Sequence, residues 1–99
     1  MTRKLAHPWW QRERDQVVEV GLTPVTLDYL KKINFIDGPL VGAQVQSTWP
    51  CLQVEASSTN TDLTLPISGT IVAKNEQVLN QWQPKIAHQT WLYQIKPQV

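Results

Sequence analysis

The chain is poor in the residues that most site chemistry requires. Its 99 residues include one cysteine and two histidines, so no internal disulfide can form. His7, His88, Cys51 and the scattered carboxylates show no metal-ligand spacing, which predicts that no metal is bound. Nucleophilic catalysis needs a base beside the nucleophile, and nothing in the spacing places His88 near Ser58 or Cys51. The expectation is a protein that is not an enzyme and carries no cofactor. The four glycines never cluster, which excludes a phosphate-binding loop. Net charge is +1 and no basic run exceeds the pairs Arg3-Lys4 and Lys31-Lys32, so no footprint for nucleic acid is present. No apolar stretch approaches a membrane span, and Met1 to Gln11 lacks the apolar core of a signal peptide. These features predict a cytoplasmic location with neither nucleic-acid nor membrane partners. Cys51, beside Pro50 at the start of an apparent strand, reads as a buried, inert thiol.

What is present suits a small β domain. Apolar content of 41% is ordinary for a globular chain, and charge at 17% is low. Residues 1–6 read as a flexible tail and 7–99 as a single domain. Val17, Val18 and Val20 form a β-branched run ending at Gly21. Thr23-Pro24 then signals a helix start, a hydroxyl cap followed by proline. Val25, Leu27, Tyr29 and Leu30 supply its expected apolar face. Ile33 to Ile36 reads as a strand, Asp37-Gly38-Pro39 as a turn, and Val41 to Val45 as a further strand. Gly69 to Lys74 predicts another strand, Asn75-Glu76 a short helix running through Val78, Leu79 and Trp82, and Trp91 to Ile95 a last strand. Short strands broken by Gly and Pro, with two small helices, favour a compact sandwich or barrel.

The most telling stretch is Glu55 to Ile71. Leu52 and Val54 lead in and Leu63, Leu65 and Ile67 lead out with the period of two of half-buried strands. Ser57, Ser58, Thr59 and Asn60 between them are small polar residues suited to a tight turn. The segment resembles the lipoyl-bearing hairpin of the glycine cleavage H-protein family, roughly E-S-V-K-A-x-S-D-x-x-S-P-x-S-G-x-V. Glu55, Asp62, Pro66, Ser68 and Gly69 match without a gap, and Ile71 replaces valine. His7-Pro8-Trp9 through Val20-Gly21-Leu22-Thr23 is similar to the family's H-E-W-x-R to V-G-I-T opening. Leu30, Phe35, Pro39, Val41, Gly42 and Val45 fall at its L, F, P, V, G and V, and Trp91 to Pro97 resembles its closing W-x-x-x-I-K-P. A shorter stretch between Asn75 and Trp91 is the one length difference.

The resemblance implies a mainly β fold, a flattened barrel or sandwich of the lipoyl/biotinyl (barrel-sandwich hybrid) type with short flanking helices. It also places Ser58 at the lipoyl-lysine position. Lipoylation makes an amide, which a serine hydroxyl cannot supply, and no lysine occurs between Lys32 and Lys74. Family members are acidic, whereas nine basic residues offset eight acidic ones here. The reading is a protein-binding module that cannot be lipoylated. Glu55, Ser57, Ser58, Thr59, Asn60 and Asp62 would be presented to a protein partner, such as a glycine cleavage or lipoate-handling enzyme. One alternative is an acyl carrier modified at another lysine, with Lys74 nearest. Another is a small-ligand-binding β domain, because five tryptophans occur in so short a chain. Trp9 and Trp91 match framework positions, and packing is the expectation for Trp10, Trp49 and Trp82.

Overall fold

A computed structural model describes residues 7–98, so the tail expected at 1–6 lies outside the described residues. The elements run β1 (Trp9–Arg14), β2 (Val17–Leu22), α1 (Pro24–Leu30), β3 (Ile33–Asp37), β4 (Gln44–Val45), β5 (Leu52–Ala56), β6 (Asn60–Leu63), β7 (Gly69–Lys74), α2 (Glu76–Leu79) and β8 (Tyr93–Pro97). They form a five-stranded sheet ordered β1-β2-β8-β7-β4 and a three-stranded sheet ordered β3-β5-β6. All the described pairings are antiparallel. The sheets enclose one core in a flattened body of 36 × 30 × 20 Å. Val20, Leu22, Ile71 and Ile95 from one sheet and Leu52 and Val54 from the other are essentially inaccessible. The architecture is mainly β, a sandwich as the strand pattern favoured and flattened as the family resemblance implied.

Local chemistry explains where the elements fall. Thr23 caps α1 through its side-chain oxygen, which accepts from the Thr26 amide at 3.3 Å, with Pro24 in the first turn. The buried stripe of α1 is the expected one in part, since Leu30 is buried and Leu27 packs against the core. Thr26 and Leu30 face inward, while Val25 is 72% exposed and Tyr29 also faces out. Thr26 earns its buried place because its hydroxyl donates to the Pro8 carbonyl at 3.0 Å, leaving no unpaired polar group.

The turn expected at Asp37-Gly38-Pro39 lies further on. The Ala43 amide closes it onto the Leu40 carbonyl at 3.0 Å, and Gly42 takes φ +95, a conformation that glycine alone adopts freely. Turning there shortens the expected 41–45 strand to Gln44–Val45. Gly69 serves differently: a Cβ there would stand 2.1 Å from the Lys96 carbonyl oxygen. In α2 the Asn75 side chain makes no cap and donates instead to the Trp91 carbonyl at 2.9 Å. The helix is one turn long, held by buried Val78 and Leu79, and stops before Trp82. The final strand starts at Tyr93, two residues later than expected.

The tryptophans divide. Trp9 is buried and donates its indole N–H to the Thr64 carbonyl at 2.7 Å. Half-buried Trp10 donates to the His88 carbonyl. Trp49 and Trp82 contradict the packing expectation, being 55% and 65% exposed. Cys51 is half-buried, not buried, and desolvation pushes its thiol up.

One charged group is buried on the outer face of the larger sheet. Glu19, 2% exposed, accepts from Arg12 at 2.6 and 3.1 Å and from Gln94 at 2.7 Å. Burial alone would raise its carboxyl. The hydrogen bonds of Arg12 and Gln94 and the charges of Arg12 and Arg14 outweigh that and hold it below the usual carboxylate range.

Candidate functional site

The expected site residues occupy the β5–β6 hairpin. Glu55 pairs with Asn60 and Gln53 with Asp62, and the Ala56 amide closes the turn onto the Thr59 carbonyl at 3.1 Å. Ser57 and Ser58 therefore stand at the apex, both exposed. Thr59 is half-buried, and its hydroxyl bonds only locally, to the Asn60 carbonyl at 3.3 Å.

This tip does not project freely; it is seated on the C-terminal turn of α1. The last carbonyls of a helix have no partner within it. Here the Leu27 carbonyl takes the Lys31 amide at 3.0 Å, and the hairpin supplies donors to the next ones. The Ser58 hydroxyl lies 2.8 Å from the Tyr29 carbonyl oxygen and 2.9 Å from that of Leu30. With a single proton it serves these two acceptors in turn or by sharing. Beside it, the Ser57 amide donates to the Lys32 carbonyl at 2.7 Å, and the Lys32 amide donates to the Ser57 hydroxyl at 3.1 Å. Side chain and backbone thus lock tip to helix.

The other expected residues face elsewhere. Strand alternation turns Leu52, Val54, Ala56 and Leu63 inward and Gln53, Glu55, Asn60 and Asp62 outward. Phe35 lies opposite Glu55 and Asp37 opposite Gln53, so Glu55, Asn60 and Asp62 share a surface with Asp37 and an exposed ring. A shallow depression of about 300 Å³ runs over Phe35, Glu55, Asn60 and Asp62. Trp82 stacks on Phe35 with centroids 6.0 Å apart and planes at 30°. No lysine, arginine or histidine occurs between Lys32 and Lys74, and among the described residues Glu55 and Asp62 enter no ion pair. The six residues therefore lie on one hairpin with two distinct parts, a seated apex and an acidic outer face.

The sequence reading missed three elements of this surface: the seat on Tyr29, Leu30 and Lys32, the carboxylate of Asp37, and the Phe35–Trp82 pair. The adjacency of Phe35 and Ile36 was the available signal. Two large apolar neighbours on a strand must point to opposite faces, so one had to be exposed. The seat had no signal, because its partners lie 28 and 29 residues from Ser58. Lys74 ends β7 paired with Tyr93 in the ladder, away from any hairpin apex.

Two small antiparallel sheets around one core, with a hairpin at one end and short helices alongside, define a barrel-sandwich domain of the lipoyl type. The sequence matches the glycine cleavage H-protein family over residues 1–99, and the chain belongs to that family. It is 32% identical over 94 residues to the glycine cleavage system H protein of Thiobacillus denitrificans, covering 93% of this chain and 73% of that one. To the Klebsiella pneumoniae H protein it is 32% identical over 95 residues, with 91% and 72% covered. The crystal structure of a glycine cleavage system H protein from Mycobacterium marinum superposes with a TM-score of 0.76 at 30% identity, covering 94% of this chain and 80% of that one.

Proposed function

We propose that this chain is an H-protein-like docking module that is not lipoylated at its hairpin. The single observation carrying this reading is Ser58 at the apex, with its hydroxyl engaged by the α1 carbonyls and no lysine from 33 to 73. A lipoyl group held by an amide needs a primary amine there, and the tip presents none. The residues present do not fit that group, and no swinging-arm step follows. The module keeps the shape that partners of the family meet: the apex of Ser57, Ser58, Thr59 and Asn60, and the outward carboxylates of Glu55 and Asp62. Its partner is a protein, a glycine cleavage or lipoate-handling enzyme presenting a complementary surface.

Net charge of +1 removes a long-range field, so docking relies on short-range complementarity at the acidic face and its exposed rings. Two measurements test the reading. After co-expression with a lipoate ligase, the intact mass should equal that of the unmodified chain. Calorimetric titration against the glycine cleavage enzymes and the ligase should give saturable binding to at least one of them. A mass gain of one lipoyl group, or no heat with any of them, overturns it.

A further inference from the structure

Beside the C-terminal end of α1 lies a second concavity, open to solvent, that the docking reading does not use. We propose that this cavity binds a short alkyl carboxylate. It measures about 440 Å³ and lies between α1, the start of β3 and the segment 83–86, within the range of small-molecule sites. Its floor is apolar, made by Leu27, Ile33 and Ile86 with the buried ring of Pro84. Lys31, Lys32 and Lys85 also line it, and no carboxylate does. Lys31 shares its charge with exposed Asp28 at 3.7 Å. Among the described residues no ion pair engages Lys32 or Lys85. An apolar body under unspent cations matches a molecule with an alkyl chain and one anionic head, since lysine acts as a mobile point charge toward such a head.

The backbone fixes the two ends of this lining. Gln83 has φ 54, a positive value that non-glycine residues rarely adopt, and Lys31 has φ 63 as the C-cap that ends α1. The other non-glycine residues with positive φ among the described residues are Asp15 and Gln16, in the tight β1–β2 connection. Lys31 and Gln83 instead both line the cavity. Gln83 is pinned to β3 by its amide to the Asn34 carbonyl at 2.6 Å and by its side chain to the Asn34 amide oxygen at 3.2 Å. Lys32 links the cavity to the apex, because its backbone exchanges two hydrogen bonds with Ser57.

The test is an amide NMR titration of the full chain with octanoate, alongside octanol, octylamine and octyl phosphate. Expected are saturable shifts at Leu27, Lys32, Ile33, Lys85 and Ile86, continuing to Ser57, with Kd on the order of 1 mM or tighter. Octanol and octylamine should bind at least about tenfold more weakly. The double variant Lys32→Gln/Lys85→Gln, changed only at exposed positions, should keep its spectral dispersion and lose about tenfold in octanoate affinity. No saturable shift, equal binding of octanol, or shifts scattered over Val25 and Trp49 overturns the site. Tighter binding of octyl phosphate overturns the carboxylate assignment. None of these readouts depends on an enzyme partner, so failure here and failure of the docking reading are separable.

Discussion

Replacing Ser58 by lysine offers the sharpest test, because it changes the chemistry and the packing of the tip in opposite directions. The variant places a primary amine at the apex of the β5–β6 hairpin, where the wild-type chain has a hydroxyl. It also removes the donor 2.8 Å from the Tyr29 carbonyl and 2.9 Å from the Leu30 carbonyl. A net hydrogen bond contributes about 0.5–1.5 kcal/mol, and Ser58 is exposed, so water can replace it at those oxygens. The cost belongs in the lower half of that range, about 0.5–1 kcal/mol, or a fall of roughly 2–8 °C in Tm for a domain of this size. The remaining tip bonds, from Ser57 to Lys32, keep the hairpin in place. Expected is therefore a folded Ser58→Lys protein that gains one lipoyl group from a lipoate ligase, while the wild type gains none. Intact mass and a thermal melt read both effects on one sample. Folded Ser58→Lys protein that the ligase leaves unmodified would refute the assignment of residue 58 to the attachment position. Wild-type protein modified to the same extent would refute the argument from the missing amine.

Three other outcomes follow from the geometry. Glu19 has a depressed carboxyl in the folded state, so its contribution is present above the unfolded value of about 4.3 and is lost as pH falls through its lower folded value. Urea midpoints measured from pH 6 down to 2 should show this loss, and Glu19→Gln should remove that component; an unchanged profile refutes it. Gly69→Ala should destabilise by about 1–3 kcal/mol or more, because its new methyl meets the Lys96 carbonyl at 2.1 Å, and a neutral result by urea denaturation refutes the close approach. Trp82→Ala should leave the melting temperature nearly unchanged, since the ring is 65% exposed. It should nevertheless weaken calorimetric binding of the enzyme partner by about tenfold or more if the ring anchors the interface; equal affinity removes Trp82 from the docking surface.

Much of the fold was legible because its signals are local. Thr23-Pro24 specifies a helix start through hydrogen bonds that span three residues, and period-two alternation marks Leu52, Val54 and Leu63 as inward whatever they pack against. Misplaced features shared one cause. Val25 and Tyr29 are apolar enough for a core face, but the helix is rotated by a partner eighteen residues away in sequence, where Thr26 reaches the Pro8 carbonyl. The turn near Gly38 moved to Gly42, where the Gly42 amide reaches the Ile71 carbonyl at 2.7 Å. Asn75 gave up its cap for the Trp91 carbonyl, sixteen residues on.

By itself the sequence determined the β architecture, the family and the absence of an amine at the hairpin apex. Each of these depends on residue identity or on spacings of a few residues, which one-dimensional patterns record directly. Only the tertiary structure decided that Ser58 is seated on α1, that Glu55 and Asp62 share a face with Phe35, and that three lysines line one cavity. Those relations arise where distant segments meet. Their free energy depends on distances and directions in space that no linear pattern encodes.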